Sequence, residues 1–186
     1  MHSMTAMNDM QHYWHGKSAV VTGGARGQGA AVASMLLAAG AQVHVMDSLA
    51  PDDAAWQVVR AAAGSRSDAL VVHACDIALA DSWEAVAAQL RSGGQPLFAL
   101  VNNAGIFDGG PLDELSVEAW DRVMATNLRG PFLCTREAMR IMKAQAAGRI
   151  INVGSISAQR VRPNSAAYSA SKHGLWGLTQ VTALEG

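Results

Sequence analysis

The chain has 186 residues, 50% hydrophobic and 16% charged, with 14 Lys and Arg set against 15 Asp and Glu for a formal charge of −1. This composition excludes a disordered chain and supports one soluble domain with a substantial core. The near-neutral balance, with no basic block, gives no electrostatic reason to expect nucleic acid or an anionic membrane as partner.

Residues 1–15 are polar and Met-rich without an apolar stretch, so they read as a flexible tail ahead of a single domain over 16–186. His2, His12 and His15 have no companion ligands and are not read as a metal site. No run of 18 apolar residues occurs, so no membrane span is expected. The runs SAVVT (18–22), QVHVM (42–46), ALVVH (69–73), FALV (98–101) and RIINV (149–153) are nearly continuous apolar stretches, as in parallel strands covered on both faces. Between them, Val32, Met35, Leu36 and Ala39 form one helical stripe and Trp83, Val86, Ala87 and Leu90 another. Pro51 with Asp52 and Asp53 opens one helix, Asp81 with Glu84 opens the next, and Gly40 and Gly93–Gly94 close helices. The alternation predicts a Rossmann-type, doubly wound parallel α/β sheet with helices on both faces and ligands beyond the carboxyl ends of the strands. Cys75 and Cys134 show neither metal-ligand spacing nor a disulfide framework, which points to reduced thiols and a cytoplasmic setting.

The first predicted strand runs into TGGARGQG (22–29) and then into a helix. Gly23, Gly27 and Gly29 permit a tight turn and let helix N–H groups face a pyrophosphate. Asp47 ends the second strand, where a carboxylate accepts from adenosine ribose hydroxyls and repels a 2′-phosphate. NAD is therefore expected over NADP, although Arg26 is a guanidinium near the same turn.

These residues, with CDI (75–77), NNAG (102–105), Asn127, NVGS (152–155) and YSASK (168–172), resemble the short-chain dehydrogenases/reductases in order and approximate spacing over residues 16–186. The resemblance implies that Asp76 and Ile77 hold adenine, Asn103 and Gly105 border the nicotinamide ribose, and Asn102 braces the sheet. It implies a catalytic set of Asn127, Ser155, Tyr168 and Lys172, with Tyr168 and Lys172 also touching the cofactor. Gln28 departs from the aliphatic residue usual in the glycine turn, where its expected contacts are through the main chain. The turn and Asp47 look more similar to NAD-dependent hydroxysteroid and secondary-alcohol dehydrogenases than to NADP-dependent acyl-carrier ketoreductases.

The chemistry also follows from the residues. Oxidising a secondary alcohol needs a base for the hydroxyl proton, and a free tyrosine, with a pKa of about 10, must be tuned for that task. Lys172 lies one helical turn after Tyr168 on the same face and supplies a cation. Ser155 leaves the fifth strand at its carboxyl end, placed to donate to a substrate oxygen. Asn127 falls on the apolar stripe of Trp120, Val123, Met124 and Leu128, so it needs a buried partner, and Gly130–Pro131 is consistent with a break in helix geometry there. His44 and His73 read as packed, hydrogen-bonded imidazoles, Arg160 and Arg162 as a solvated loop, and Ile106 and Phe107 as either core or substrate wall.

Three functions are weighed: an oxidoreductase interconverting a secondary alcohol and a ketone with NAD, an NADP-dependent 3-oxoacyl ketoreductase, and a dinucleotide-binding module without turnover. Leu175, Trp176 and Leu178 add apolar surface that, with the resemblance, implies a homo-oligomer, a tetramer if the fold is complete. Relative to the family pattern, the strands that follow the YSASK helix are missing, so activity of the 186-residue chain alone is doubtful and its fifth strand is expected to be an uncovered edge.

Overall fold

A computed structural model describes residues 13–186. His2 and His12 lie outside the described residues. One five-stranded parallel sheet has the order β3-β2-β1-β4-β5, built from β1 (Ser18–Thr22), β2 (Gln42–Asp47), β3 (Leu70–Ala74), β4 (Leu97–Asn102) and β5 (Arg149–Asn152). Among the described residues its main α-helices are α1 (Gly27–Ala38), α2 (Gln57–Ala63), α3 (Ala80–Ser92), α4 (Val117–Met124), α5 (Gly130–Gln145) and α6 (Ala166–Glu185). The chain winds outward from β1 through β2 to β3, then returns to the other side of β1 for β4. That reversal opens a crevice beyond the carboxyl ends of β1 and β4.

Alternation along each strand sends side chains into two cores. On one face Val21, Val43 and Val45 pack with Ala30, Ala33 and Leu37 of α1 and Val59 and Ala63 of α2. On the other, Val20, Met46 and Leu100 pack with Trp83, Val86 and Leu90 of α3 and Cys134, Ala138 and Met142 of α5. Central β1 is buried throughout, whereas β3 and β5 are half-exposed because each lies at a sheet edge. The expectation of strands covered on both faces therefore holds only for the middle of the sheet.

Three local expectations are corrected. Of the α1 stripe, Val32 and Leu36 pack at the margin of the core and Ala39 is buried, but Met35 is 67% exposed; Ala30, Ala33 and Leu37 face the sheet most directly because small side chains let the helix approach it closely. Asp81 lies inside the first turn of α3 rather than at its cap, which is Leu79 and makes no side-chain bond. Leu175 is only 2% exposed and belongs to the interior, which leaves Trp176, at 53%, as the exposed apolar group of that turn. The described end of the amino-terminal segment is docked, with the Tyr13 and Trp14 rings edge-on to Phe98 at 5.4 and 5.6 Å. His44 and His73 stack between β2 and β3 with ring nitrogens 3.0 Å apart, as a hydrogen-bonded pair.

Candidate active site

The glycine turn is built by close approach. A side chain at Gly29 would put its Cβ 2.1 Å from the Gly23 carbonyl oxygen, and one at Gly23 would meet the Ala104 Cα at 2.8 Å. Gly27, at the start of α1, has φ 57° and open space where a Cβ would be, which leaves the helix N-terminus accessible to an anion. Thr22 latches the β1 and β4 loops together, its Oγ1 accepting from the N–H groups of Asn103 and Ala104 at 3.0 Å each. Asn103 donates from Nδ2 to the carbonyls of Thr22 and Gly23. The Asp47 carboxylate accepts from Ala25 N–H at 3.1 Å and from Leu49 N–H at 3.3 Å, so it holds the turn in shape while still lining the crevice.

The crevice has a volume of about 380 Å³. Of the predicted cofactor residues, Gly23, Arg26, Asp47, Asp76, Ile77, Asn103 and Gly105 line it. Gly27 and Gln28 are exposed at the mouth of the turn, and Gly29 is packed beneath it. Cys75, which opens the CDI run but was given no role, and Thr126, which no motif marked, also line the crevice. Burial, then the charges of Asp76 and Asp47, pushes the Cys75 thiol up to about 11, so it stays protonated at neutral pH.

Asn127 and Lys172 approach Gly105, and Tyr168 lies beside Lys172. The α4–α5 junction, Ala125–Arg129, is a π-helical turn, and Asn127 within it is fully buried. Its Oδ1 accepts from Ile106 N–H at 2.8 Å, and its Nδ2 donates to the Ile106 carbonyl at 2.9 Å and to Ser171 Oγ at 3.3 Å. The buried partner is thus the β4 loop itself, and the widened turn delivers the amide to it. Lys172, buried in α6, donates from Nζ to the Val153 carbonyl at 2.7 Å and lies 5.8 Å from the centre of the Tyr168 ring. Burial holds its ammonium below the usual lysine range. A Cβ at Gly105 would stand 3.7 Å from Nζ, so Gly105, which lines the crevice, separates it from the ammonium by no more than a backbone. Ser155 caps a short 3-10 turn and accepts from Ser157 N–H at 3.1 Å, which leaves its own hydroxyl proton free to be donated. Asn102, the predicted brace, donates to Thr135 Oγ1 and Asn152 Oδ1 at 3.1 and 2.8 Å.

The sequence profile of the short chain dehydrogenases matches residues 17–186. The chain belongs to that family. Among short-chain dehydrogenase relatives, it is 39% identical over 173 residues to a D-beta-hydroxybutyrate dehydrogenase of Rhizobium meliloti, covering 91% of this chain and 65% of that protein. It is 36% identical to a 3-oxoacyl-[acyl-carrier-protein] reductase of Synechocystis, covering 90% and 67%. A metagenomic short-chain oxidoreductase solved in complex with NADP superposes with a TM-score of 0.83 at 36% identity, covering 92% of this chain and 76% of that one. The chain spans roughly two thirds of the length of the curated relatives it matches. Among the described residues no helix is long and apolar enough to cross a membrane.

Proposed function

We propose that this chain carries the dinucleotide site and the proton-transfer group of an oxidoreductase that interconverts a secondary alcohol and a ketone, with NAD as the preferred cofactor. The observation that carries the reading is the junction of two sites: the glycine crevice and the buried Lys172 meet at Gly105, with the Tyr168 ring beside the lysine. The crevice fits a dinucleotide in chemical terms. It has an open helix N-terminus at Gly27 for phosphate, the Asp47 carboxylate for ribose hydroxyls and the Asp76–Ile77 corner for adenine. Bound nicotinamide supplies the hydride acceptor or donor. The chain's own residues handle the proton and the substrate oxygen.

Ser155 donates its free proton in a hydrogen bond to the alcohol or ketone oxygen and holds it against Tyr168. In oxidation the Tyr168 oxygen takes the hydroxyl proton, and in reduction it returns that proton to the carbonyl oxygen. The Lys172 ammonium, desolvated and oriented by the Val153 carbonyl, favours negative charge on that oxygen while the proton is away. Asn127 positions the β4 loop against α6 through Ile106 and Ser171.

Asp47 supports NAD, whereas Arg26 and the NADP-bound neighbour support the alternative, an NADP-dependent 3-oxoacyl reductase like the Synechocystis relative. We further propose a homo-oligomer that buries the apolar trough of about 620 Å³ lined by Met124, Leu128, Phe132 and Leu178, and, from the two free thiols, a reducing cytoplasmic setting. The test is to titrate the purified chain with NAD and NADP. A panel of secondary alcohols and an acetoacetyl thioester is then supplied with each cofactor while reduced or consumed nicotinamide is followed by absorbance. Alcohol oxidation with a preference for NAD is expected; thioester reduction with NADP alone would select the alternative.

A further inference from the structure

We propose that Phe107 is a specificity-determining residue, an apolar wall beside Tyr168 that selects secondary alcohols carrying ring or alkyl substituents over polyols and hydroxy acids; this rests on the alcohol–ketone reading above. Phe107 is 64% exposed, so most of a large aromatic ring stands at the surface. Its ring is nevertheless placed. It sits 5.5 Å from the Tyr168 ring at 62°, an edge-to-face contact with the proton-transfer group. Behind it the loop after β4 meets the loop before α6 with no room for a side chain. A Cβ at Gly109 would lie 2.1 Å from the Asn164 carbonyl oxygen and 2.9 Å from the Phe107 ring. Asn164 reaches that contact in a left-handed conformation, φ 61°, which Asn tolerates better than most residues.

The surroundings have the same chemistry. Ile106, Ile156 and Val161 are exposed apolar residues of the two loops that carry Phe107 and follow Ser155, at the carboxyl end of the sheet. Asp108, next to Phe107, is paired at the surface with Arg122 of α4. The cations of that region, Arg160 and Arg162, are exposed on the loop leading to α6. A substrate that covers Phe107 and Ile156 recovers apolar burial, whereas a polyol strips its own hydroxyls of water against two side chains that offer them no hydrogen bond. Discrimination of this kind in apolar pockets is typically tens to hundreds of fold.

The experiment measures binding first, so that it does not depend on turnover. Cyclohexanol, threitol and 3-hydroxybutyrate are titrated calorimetrically into the full chain saturated with NADH, using wild type, Phe107→Ser, Phe107→Leu and Gly109→Ala. Wild type is expected to bind cyclohexanol at least ~10-fold tighter than the other two. Phe107→Ser is expected to erase most of that preference, with Phe107→Leu retaining it. Gly109→Ala, which displaces the ring, should reduce the preference without removing NADH binding. An unchanged preference in Phe107→Ser, a wild-type preference for threitol or 3-hydroxybutyrate, or no binding of any alcohol would overturn the proposal. The parent reading fails by a different sign: selective alcohol binding that Phe107 controls, with no hydride exchanged with NAD or NADP in parallel rate assays.

Discussion

Replacing His44 with Phe should flatten the acid sensitivity of folding. His44 is 4% exposed, and burial, reinforced by the charge of His73, lowers it from its ordinary 6.5 to about 4. His73 shifts in the same direction, through burial. As pH falls through 6.5 the unfolded chain takes up a proton at His44 that the folded chain refuses. Stability is therefore lost from about pH 6.5 downward, and the loss levels off only below about pH 4. At about 1.4 kcal/mol per pH unit, this one site removes roughly 2–3 kcal/mol by pH ~4.5, a sizeable part of the 5–15 kcal/mol typical of a domain. Phe keeps a planar ring between β2 and β3 but cannot titrate, so urea unfolding of wild type and variant should diverge by that amount between about pH 7 and pH 4.5. Equal pH slopes in the two proteins would refute the reasoning. So would a His44 imidazole that titrates near 6.5 by NMR in the native wild type.

Three other substitutions probe the site. Gly29→Ala should cost about 1–3 kcal/mol and abolish dinucleotide binding, because the new methyl meets the Gly23 carbonyl, and calorimetric titration with unfolding curves reads both effects. Asp47→Ser should lower the NAD to NADP efficiency ratio; it should also lower stability by about 1–3 kcal/mol, since the Ala25 and Leu49 N–H groups lose their acceptor. An unchanged ratio with the stability loss would make Asp47 purely a brace. Asn127→Ala should destabilise the chain by about 2 kcal/mol or more and speed hydrogen exchange at Ile106, whose N–H and carbonyl both lose their partner.

How much was legible depends on contrast in the local pattern. The α3 stripe of Trp83, Val86, Ala87 and Leu90 could be read because Asp81, Glu84 and Arg91 mark the opposite side, and all four prove buried. In α1 almost every residue is apolar, so periodicity could not choose a face; the choice was made by the tight approach that Ala30 and Ala33 allow. The same ambiguity in Gly174 to Leu178 let Leu175, which is buried, be read as surface together with Trp176. The order of the site motifs placed seven cofactor candidates around one crevice, because each motif sits where a strand ends. The Asn127–Ile106 bonds, the Thr22 latch and the Gly109–Asn164 contact join segments distant in sequence, and no spacing rule announces them.

The most direct test of the proton-transfer assignment compares wild type with Tyr168→Phe, which keeps the ring against Phe107 and Lys172 but removes the exchangeable proton. Steady-state oxidation of the best alcohol on the panel is measured alongside cofactor affinity. The account predicts cofactor binding within a few-fold of wild type and turnover reduced by about 10²–10⁴. Turnover close to wild type in the Phe variant would contradict it.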